Sequence, residues 1–567
     1  MMNQLKFLWG LCLACVLIVT PWSQWQPPQQ SSVHTLAVQL EGRKKPLDTV
    51  ARETVATIHG AARYQLDNGQ VLDAQQTYWS LWLNSRDWND QPFILVNYRP
   101  LKAQLGLPLE QKHFSFSTLI NSDLGEVIER AQTKQRQDQV LTRDEREALI
   151  LEDRLTLMLT TVGRQSLPIV PHPSDLKGTW VGIPEVEQLY SSAQVEMIQL
   201  QFERLQQHHR VSGDDINALT DVVAPLQQSL ASLSPEIYPA SASLQREVFF
   251  NQFHPFAKAW KLYAIAFLTL LISQLISPID LYWSGMGIFL GGILVQAFGF
   301  GLRMQIAGRP PVTNMYESVV WVGFGIAALA FSFELQTKAR FYLLAAAPLT
   351  VLCLLLADSL PAVLDPSIGP LVPVLRDNFW LSVHVPTITL SYASFALAMG
   401  LGHFTLVQYW LQPDGSPTAK TLAQLNTRVI QVGILLLTTG IILGGIWAHF
   451  SWGRFWGWDP KETWALIALL CYLAPVHGRL AGWLGNFGMS VASVLSFNAV
   501  LMAWYGVNFV LGTGLHSYGF STGGSELLIG SIVGLDTLFV LATMLHYRSQ
   551  RQPPMPKLGS DTQPIDA

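Results

Sequence analysis

From about residue 262 to 547 the chain is a succession of apolar runs separated by short polar loops. Residues 22–258 instead mix polar and apolar positions as a water-soluble domain does, with charge runs such as Arg143-Asp-Glu-Arg-Glu147. Nine runs stand out, at roughly 262–277, 283–302, 317–334, 341–358, 381–403, 430–450, 463–480, 488–508 and 526–546. Each is long enough to cross a bilayer as a helix, allowing for tilt. A strand of that length would leave backbone N–H and C=O groups unpaired in lipid, so helix is the remaining option. A shorter apolar stretch follows Lys6 to about Thr20. It reads as a signal peptide or an anchor, and Pro21-Trp-Ser-Gln lacks a small-x-small cleavage pattern, which favours an uncleaved anchor.

The predicted fold is therefore mainly α, a polytopic membrane helix bundle of about nine helices plus one N-terminal hydrophobic anchor, with an exported α+β domain between them. The boundaries expected are 1–21 for the anchor or signal, 22–258 for the soluble domain, 259–547 for the membrane domain and 548–567 for a cytoplasmic tail. Residues 23–33 are rich in Pro, Gln and Ser and read as a linker. Pro100, Pro108, Pro168, Pro171 and Pro173 break the soluble domain into short elements, and Glu196–Gln207 has helical periodicity. His208-His209 ends that polar helix and is expected to be solvated. With no Gly-rich phosphate loop, ligand-spaced His/Cys cluster or recognisable triad, this domain reads as an interaction or scaffolding module.

Composition sharpens the picture. Only 13% of residues are charged, against about 25% in soluble domains, and 49% are hydrophobic. A net charge of −4 gives no case for a nucleic-acid partner. Cys12, Cys15, Cys353 and Cys471 all lie in apolar runs, which argues against a disulfide framework or a structural zinc site. Cys12-x-x-Cys15 has redox spacing but sits inside a hydrophobic segment, where it reads as incidental. If residues 22–258 are outside, Lys and Arg in the inner segments outnumber those in the outer loops nine to five, the direction the positive-inside rule requires.

That topology puts Trp452-Gly-Arg-Phe-Trp456-Gly-Trp458-Asp459-Pro-Lys-Glu-Thr-Trp464 on the outer side. Four tryptophans in one loop have two readings: an interfacial aromatic belt, or a platform for a flat apolar ligand such as haem. A belt scatters Trp over many helix ends, whereas these are crowded together with Gly453 and Gly457 to let the chain turn. The crowding favours the platform. Six histidines accompany it in the membrane half, where His is uncommon and points to function. His384 opens a helix on the outer side and His516 lies in an outer loop, in Gly512-Thr-Gly-Leu-His516-Ser-Tyr518. Two neutral imidazoles can ligate one haem iron from opposite faces; the alternative is a pair of interfacial histidines bonded to water or carbonyls. His477 lies near the inner end of its run beside Pro475 and Arg479, and His403 lies at the inner end of another. A second, inner bis-His site is thus open, with His403 equally readable as structural. His449 reads as a supporting or interfacial residue, and His546 carries no specific expectation.

The tryptophan loop resembles the "WWD" signature of haem-handling proteins of cytochrome c maturation. Its Pro-Lys-Glu-Thr-Trp464 continuation resembles the CcsA (ResC) branch of the system II pathway and not the CcmC or CcmF branches of system I. Further matches follow in order: Gly308-Arg-Pro-Pro-Val-Thr-Asn314-Met-Tyr316-Glu317-Ser318, Trp380 to His384 with Tyr392-Ala-x-Phe395, Trp447-Ala, His477-x-Arg479, and Gly506-Val-Asn508 ahead of Gly514-Leu-His516-Ser-Tyr518. The resemblance covers about 283–547. It implies a haem exporter and cytochrome c haem lyase of a bacterial inner membrane, with the soluble domain and the 452–464 loop on the periplasmic side. Haem b would enter from the inner side, pass intramembrane histidines and reach His384 and His516. There its vinyl groups would meet the Cys-x-x-Cys-His of an apocytochrome c.

In that picture His384, His516 and His477 are metal ligands and His403 a further haem contact. Trp452, Trp456, Trp458 and Asp459 form the reaction platform, with Asp459 expected to fix the loop by hydrogen bonds. Arg309, Arg454 and Lys461 are open between propionate partners and plain surface bases. The implied partners are a CcsB (ResB)-like membrane protein and a thioredoxin-like thiol reductant. The chain departs from fused CcsB–CcsA proteins in having one N-terminal hydrophobic segment and about 235 residues before the bundle, although Lys45-Pro-Leu-Asp48-Thr-Val-Ala51-Arg52-Glu53 resembles the N-terminal regions of some of them. Two alternatives remain: a haem transporter delivering to a separate chaperone or ligase, and a bis-His haem b electron-transfer protein.

Overall fold

The computed structural model describes residues 2–19, 31–66, 68–137, 139, 141–163, 167–175, 177–276, 281–360, 363–412, 414–511, 514–516 and 526–550. Most of the expected linker and cytoplasmic tail lie outside these residues, as do Gly512, Thr513, Ser517 and Tyr518 of the second histidine motif. Among the described residues nine helices are long and apolar enough to cross a membrane: Ser241–Leu275, Tyr282–Ala307, Met315–Thr337, Tyr342–Ser359, Asn378–Leu411, Pro417–Trp452, Pro460–Leu480, Asn486–Leu511 and Leu527–Gln550. The chain is an integral membrane protein with a mainly helical fold.

Several spans are longer than the apolar runs because polar ends continue the helix. Pro417–Trp452 starts well before residue 430, where Ser416 Oγ accepts the Ala419 N–H at 3.0 Å and Pro417 presets the first turn. The first span begins at Ser241. Its chain bends at His254, whose φ is 48°, and restarts at Pro255. The N-terminal helix Met2–Val19 packs along Tyr282–Ala307 through small residues. A side chain at Gly287 would strike the backbone of Phe7 and Leu11, and one at Gly291 would strike Ala14. Such small-residue seams are how helices approach closely in lipid, where no hydrophobic force drives them together.

The polar domain has its own core, built by helices such as Leu47–His59, Arg143–Thr161 and Ser192–Ser212. Among the described residues its strands form three short antiparallel pairs: Ala37–Leu40 with Arg43–Pro46, Arg63–Gln65 with Val71–Asp73, and Ile94–Leu95 with His113–Phe114. One expectation is overturned here. His209 is 2% exposed, not solvated, because Val195, Ile198, Phe202, Leu205 and His209 form one helical stripe against the core. Its neighbour His208 is exposed.

The polar domain is fixed to the bundle by a knot of charges at the helix Ser241–Phe253. Arg43 grips Glu247 with two N–H groups, at 2.6 and 2.8 Å, and Thr49 Oγ1 donates to the same carboxylate at 2.7 Å. Asn251 Nδ2 donates to Asp48 at 3.0 Å, beside the Arg52–Asp48 pair at 2.8 Å. Burial alone would raise the Asp48 carboxyl, but hydrogen bonds and charge from His34 and Arg52 hold it well below the usual range.

At the same end of the bundle Arg303 and Glu317 form a buried pair at 2.7 Å, each side chain 2% exposed. Glu317 Oε2 also accepts the N–H and hydroxyl of Thr313, both at 2.7 Å, while Arg303 donates to the carbonyls of Pro366 and Ser367. One ion pair therefore staples the 308–314 loop to the 363–369 loop. Glu317→Ala leaves Arg303 buried without its partner, and about 3–5 kcal/mol of stability is expected to be lost. Arg303→Met with Glu317→Met is expected to be milder. Thermal unfolding of the full chain in detergent measures both, and a single variant no worse than the double would overturn the stapling role.

Candidate functional site

The tryptophan loop is shaped at both ends by its own residues. Pro417–Trp452 stops at Gly453, whose φ of 69° is a left-handed cap that closes on the His449 carbonyl at 2.9 Å. Pro460–Leu480 starts with a reciprocal cap: Asp459 Oδ1 accepts the Lys461 N–H at 3.0 Å, and Glu462 Oε2 accepts the Asp459 N–H at 3.2 Å. Glu462 does more. Oε2 also accepts the Gly457 N–H at 2.8 Å, and Oε1 takes Arg454 Nη1 at 2.9 Å. Trp458 lies between the two amides held by Oε2, with a φ of 56°. Left-handed backbone at a bulky residue costs of order 1–3 kcal/mol and persists only where neighbours impose it.

The second histidine is hung on the same loop. The helix Asn486–Leu501 widens into a π-helical stretch, Met502–Leu511, a form common at functional sites. Residues 514–516 then return against Asp459. Leu515 N–H donates to Asp459 Oδ2 at 2.6 Å and His516 Nδ1 to Oδ1 at 2.9 Å. Gly514 sits at a φ of +100°, and any side chain there would strike the Asp459 carboxylate and Pro460. Asp459 lies just outside the membrane span. Its burial would raise its pKa, but His516 and the amides of Lys461 and Leu515 bring it down to about 2.

The first histidine comes from the other side. Asp377 caps the helix Asn378–Leu411 by accepting the amides of Phe379 and Trp380. Two turns on, His384 Nδ1 donates to the Gly440 carbonyl at 2.9 Å. Its ring lies flush on Gly444, where a Cβ would come within 2.6 Å of Cε1, and Trp447 stands edge-on at 5.6 Å. Both imidazoles are thus tied through Nδ1.

His384 and His516 line one cavity open to solvent, with about 1070 Å³ of empty space counting its open mouth, walled further by Tyr392, Trp447, Trp456 and Trp504. A second hollow of about 240 Å³ adjoins it between the same histidines and Trp452. Trp452 meets the His516 ring edge-on at 5.0 Å. Trp458 does not line the cavity; it is 69% exposed and touches Trp456 edge-on at 5.8 Å.

The remaining expected residues lie elsewhere. Arg454 is spent on Glu462 and on the Trp452 ring, 5.5 Å away, and Arg309 donates to the Gly369 carbonyl at 2.7 Å. Neither lines the cavity. The inner bis-His pairing is not formed among the described residues. His403 uses Nδ1 on the Met399 carbonyl at 2.9 Å and Nε2 on Asp536 of the last helix at 2.6 Å. His477 is exposed, its Nδ1 on the Leu473 carbonyl at 2.8 Å. His449 is exposed, and His546 stacks on Trp410. Sequence reasoning did not single out Gly444, Glu462 and Trp504. The Gly440-x-x-x-Gly444-Gly445 run in an Ile- and Leu-rich helix and the Asp459-x-x-Glu462 capping spacing were the available signals for the first two.

Residues 312–516 match the cytochrome c assembly protein family. Protein NrfI of Wolinella succinogenes is 30% identical over 510 residues, covering 84% of this chain and 53% of NrfI; the chain spans about half of that relative's length. The cytochrome c biogenesis protein CcsA of Parasynechococcus marenigrum is 35% identical over 255 residues, 39% of this chain and 82% of CcsA. CcsA of Guillardia theta is 34% identical over 291 residues, 45% of this chain and 95% of that protein.

Asp459→Asn removes the charge from three hydrogen bonds at once, and a loss of about 1.5–3 kcal/mol is expected. Because the folded-state pKa is depressed from 3.8 to about 2, the carboxylate's contribution is fully present above about pH 4 and fades as pH falls through 2. Amide exchange at residues 514–516 in wild type and variant reads this directly. The two should differ at neutral pH and converge in strong acid; equal exchange at neutral pH would show that Asp459 does not hold His516.

Proposed function

Since the chain belongs to the CcsA-type family of cytochrome c biogenesis proteins, and so serves cytochrome c maturation, we propose that its cavity receives haem b between His384 and His516 and presents it to an apocytochrome c. The observation that carries this reading is the meeting of a helix imidazole and a loop imidazole, each tied through Nδ1, in one indole-walled cavity. Among the described residues no cluster of three or more His, Cys, Asp or Glu is placed to hold a free metal ion. Two imidazoles suit an iron that already carries four porphyrin nitrogens.

The chain's residues contribute position and not acid–base chemistry. His384 belongs to a continuous helix and is the firmer ligand. His516 is held against the Asp459 carboxylate on a loop and is the ligand that the apocytochrome's own histidine displaces. Each cysteine thiol of the Cys-x-x-Cys-His segment then adds across a haem vinyl group. Sulfur bonds to one vinyl carbon and the proton goes to the other, so no electrons are gained or lost. The thiols must arrive reduced, which gives a thioredoxin-like reductant its place. Haem reaches the site from the opposite side of the membrane. His477, exposed on the bundle, is the residue that a CcsB-like membrane partner would complete into an inner ligand pair. In this reading the chain is a haem transporter and cytochrome c haem lyase of a bacterial inner membrane, with the polar domain and the tryptophan loop facing the periplasm.

His384→Ala and His516→Ala are each expected to lose the haem absorption band and to reduce holocytochrome c formation beyond the roughly 10–100-fold typical of a supporting residue. Added imidazole should restore part of both. Coexpression with an apocytochrome and a CcsB-like partner, in cells lacking other maturation proteins, checks the lyase step through covalently bound haem. Normal maturation by both alanine variants would remove axial ligation by this pair.

A further inference from the structure

We infer that Lys461, aimed by Asn508, is the anchor for a porphyrin propionate, a reading that rests on the haem site proposed above. Among the described residues lining the cavity, Lys461 and Glu462 carry the only formal side-chain charges. Glu462 is committed to Arg454 and to two backbone amides. Asp459, the other nearby carboxylate, already accepts His516 and the amides of Lys461 and Leu515. Lys461 Nζ instead donates to the neutral side-chain oxygen of Asn508 at 3.3 Å.

Asn508 is itself held, since its Nδ2 donates to the Trp504 carbonyl at 2.7 Å and so turns Oδ1 toward Lys461. An ammonium has three N–H donors, and this one is set in a largely apolar cavity without a carboxylate of its own. Lys461 is half-buried, and a charged ammonium in an apolar lining calls for an anionic partner. It also stands in the first turn of Pro460–Leu480, where the helix dipole adds to the attraction for an anion. The two arginines that would compete for the task are diverted to Glu462 and to the Gly369 carbonyl.

Haem supplies the missing carboxylate. Its two propionates lie on one edge of the macrocycle and its two vinyl groups lie away from them. A propionate held at Lys461 therefore sets the macrocycle's rotation between the two imidazoles and directs the vinyl groups away from the start of Pro460–Leu480. Lys461 is a binding and orienting residue in this scheme, acting on substrate that the histidines hold by its iron.

The test is a titration of the full-length, detergent-solubilised protein with ferric haem and with haem dimethyl ester, whose propionates carry no charge. Wild type is expected to bind haem about tenfold or more tightly than the ester, the size of one charge-assisted hydrogen bond. Lys461→Met should lose that preference while binding the ester as wild type does, which also shows that it is folded. Lys461→Arg should keep the preference. Haem binding with the same preference in wild type and Lys461→Met overturns the anchor alone. No haem binding by the wild type overturns the cavity's role and the anchor with it.

Discussion

The site depends on one carboxylate. Asp459 starts the helix Pro460–Leu480, takes the Leu515 amide and grips His516, joining residues 57 apart in sequence. A carboxylate has enough lone pairs to serve all three donors, and its hydrogen bonds are stronger for being charged. The side chain is buried at the end of a helix bundle, where a lower local dielectric strengthens them further. Without this link the tryptophan loop and the second histidine would be two independent loops. With it they are one rigid wall facing His384.

The rest of the membrane half shows the same economy. Polar groups in lipid must find partners inside the protein, and several here do so. Arg303 pairs with Glu317, His403 with Asp536, and Glu334 accepts the Tyr282 hydroxyl and the amides of Arg340 and Tyr342. Small residues do the complementary task. Gly444 admits the His384 ring and Gly445 admits Phe455, so the helix Pro417–Trp452 approaches the site closely enough to wall it. The cavity is what remains once the glycines have let the helices close.

Family and site meet in the same stretch of chain. The matched residues 312–516 run from the loop stapled by Arg303 and Glu317 to His516, and every residue lining the main cavity falls within them. The polar domain lies outside that stretch but is clamped to the bundle through Arg43, Asp48 and Glu247. Its tie is to the helix leading into the first span, so it is part of the same molecule mechanically as well as covalently.

Much of this was readable in one dimension. The nine spans follow from run length and apolarity, since each segment meets lipid before it meets any neighbour. The tryptophan loop, its capping acids and the prominence of His384 and His516 are likewise local, written in spacing of a few residues. What local pattern could not decide was which charges are already spent. In sequence Arg454 and Arg309 are open between propionate partners and surface bases, His403 is open between haem contact and structural residue, and His209 reads as solvated. Folding brings a neighbour to each: Glu462 packed back across a loop turn, the Gly369 carbonyl, Asp536 from the last helix, and the apolar core of the polar domain. Partnership of a polar side chain is a property of three-dimensional neighbours, and only the tertiary structure assigns those.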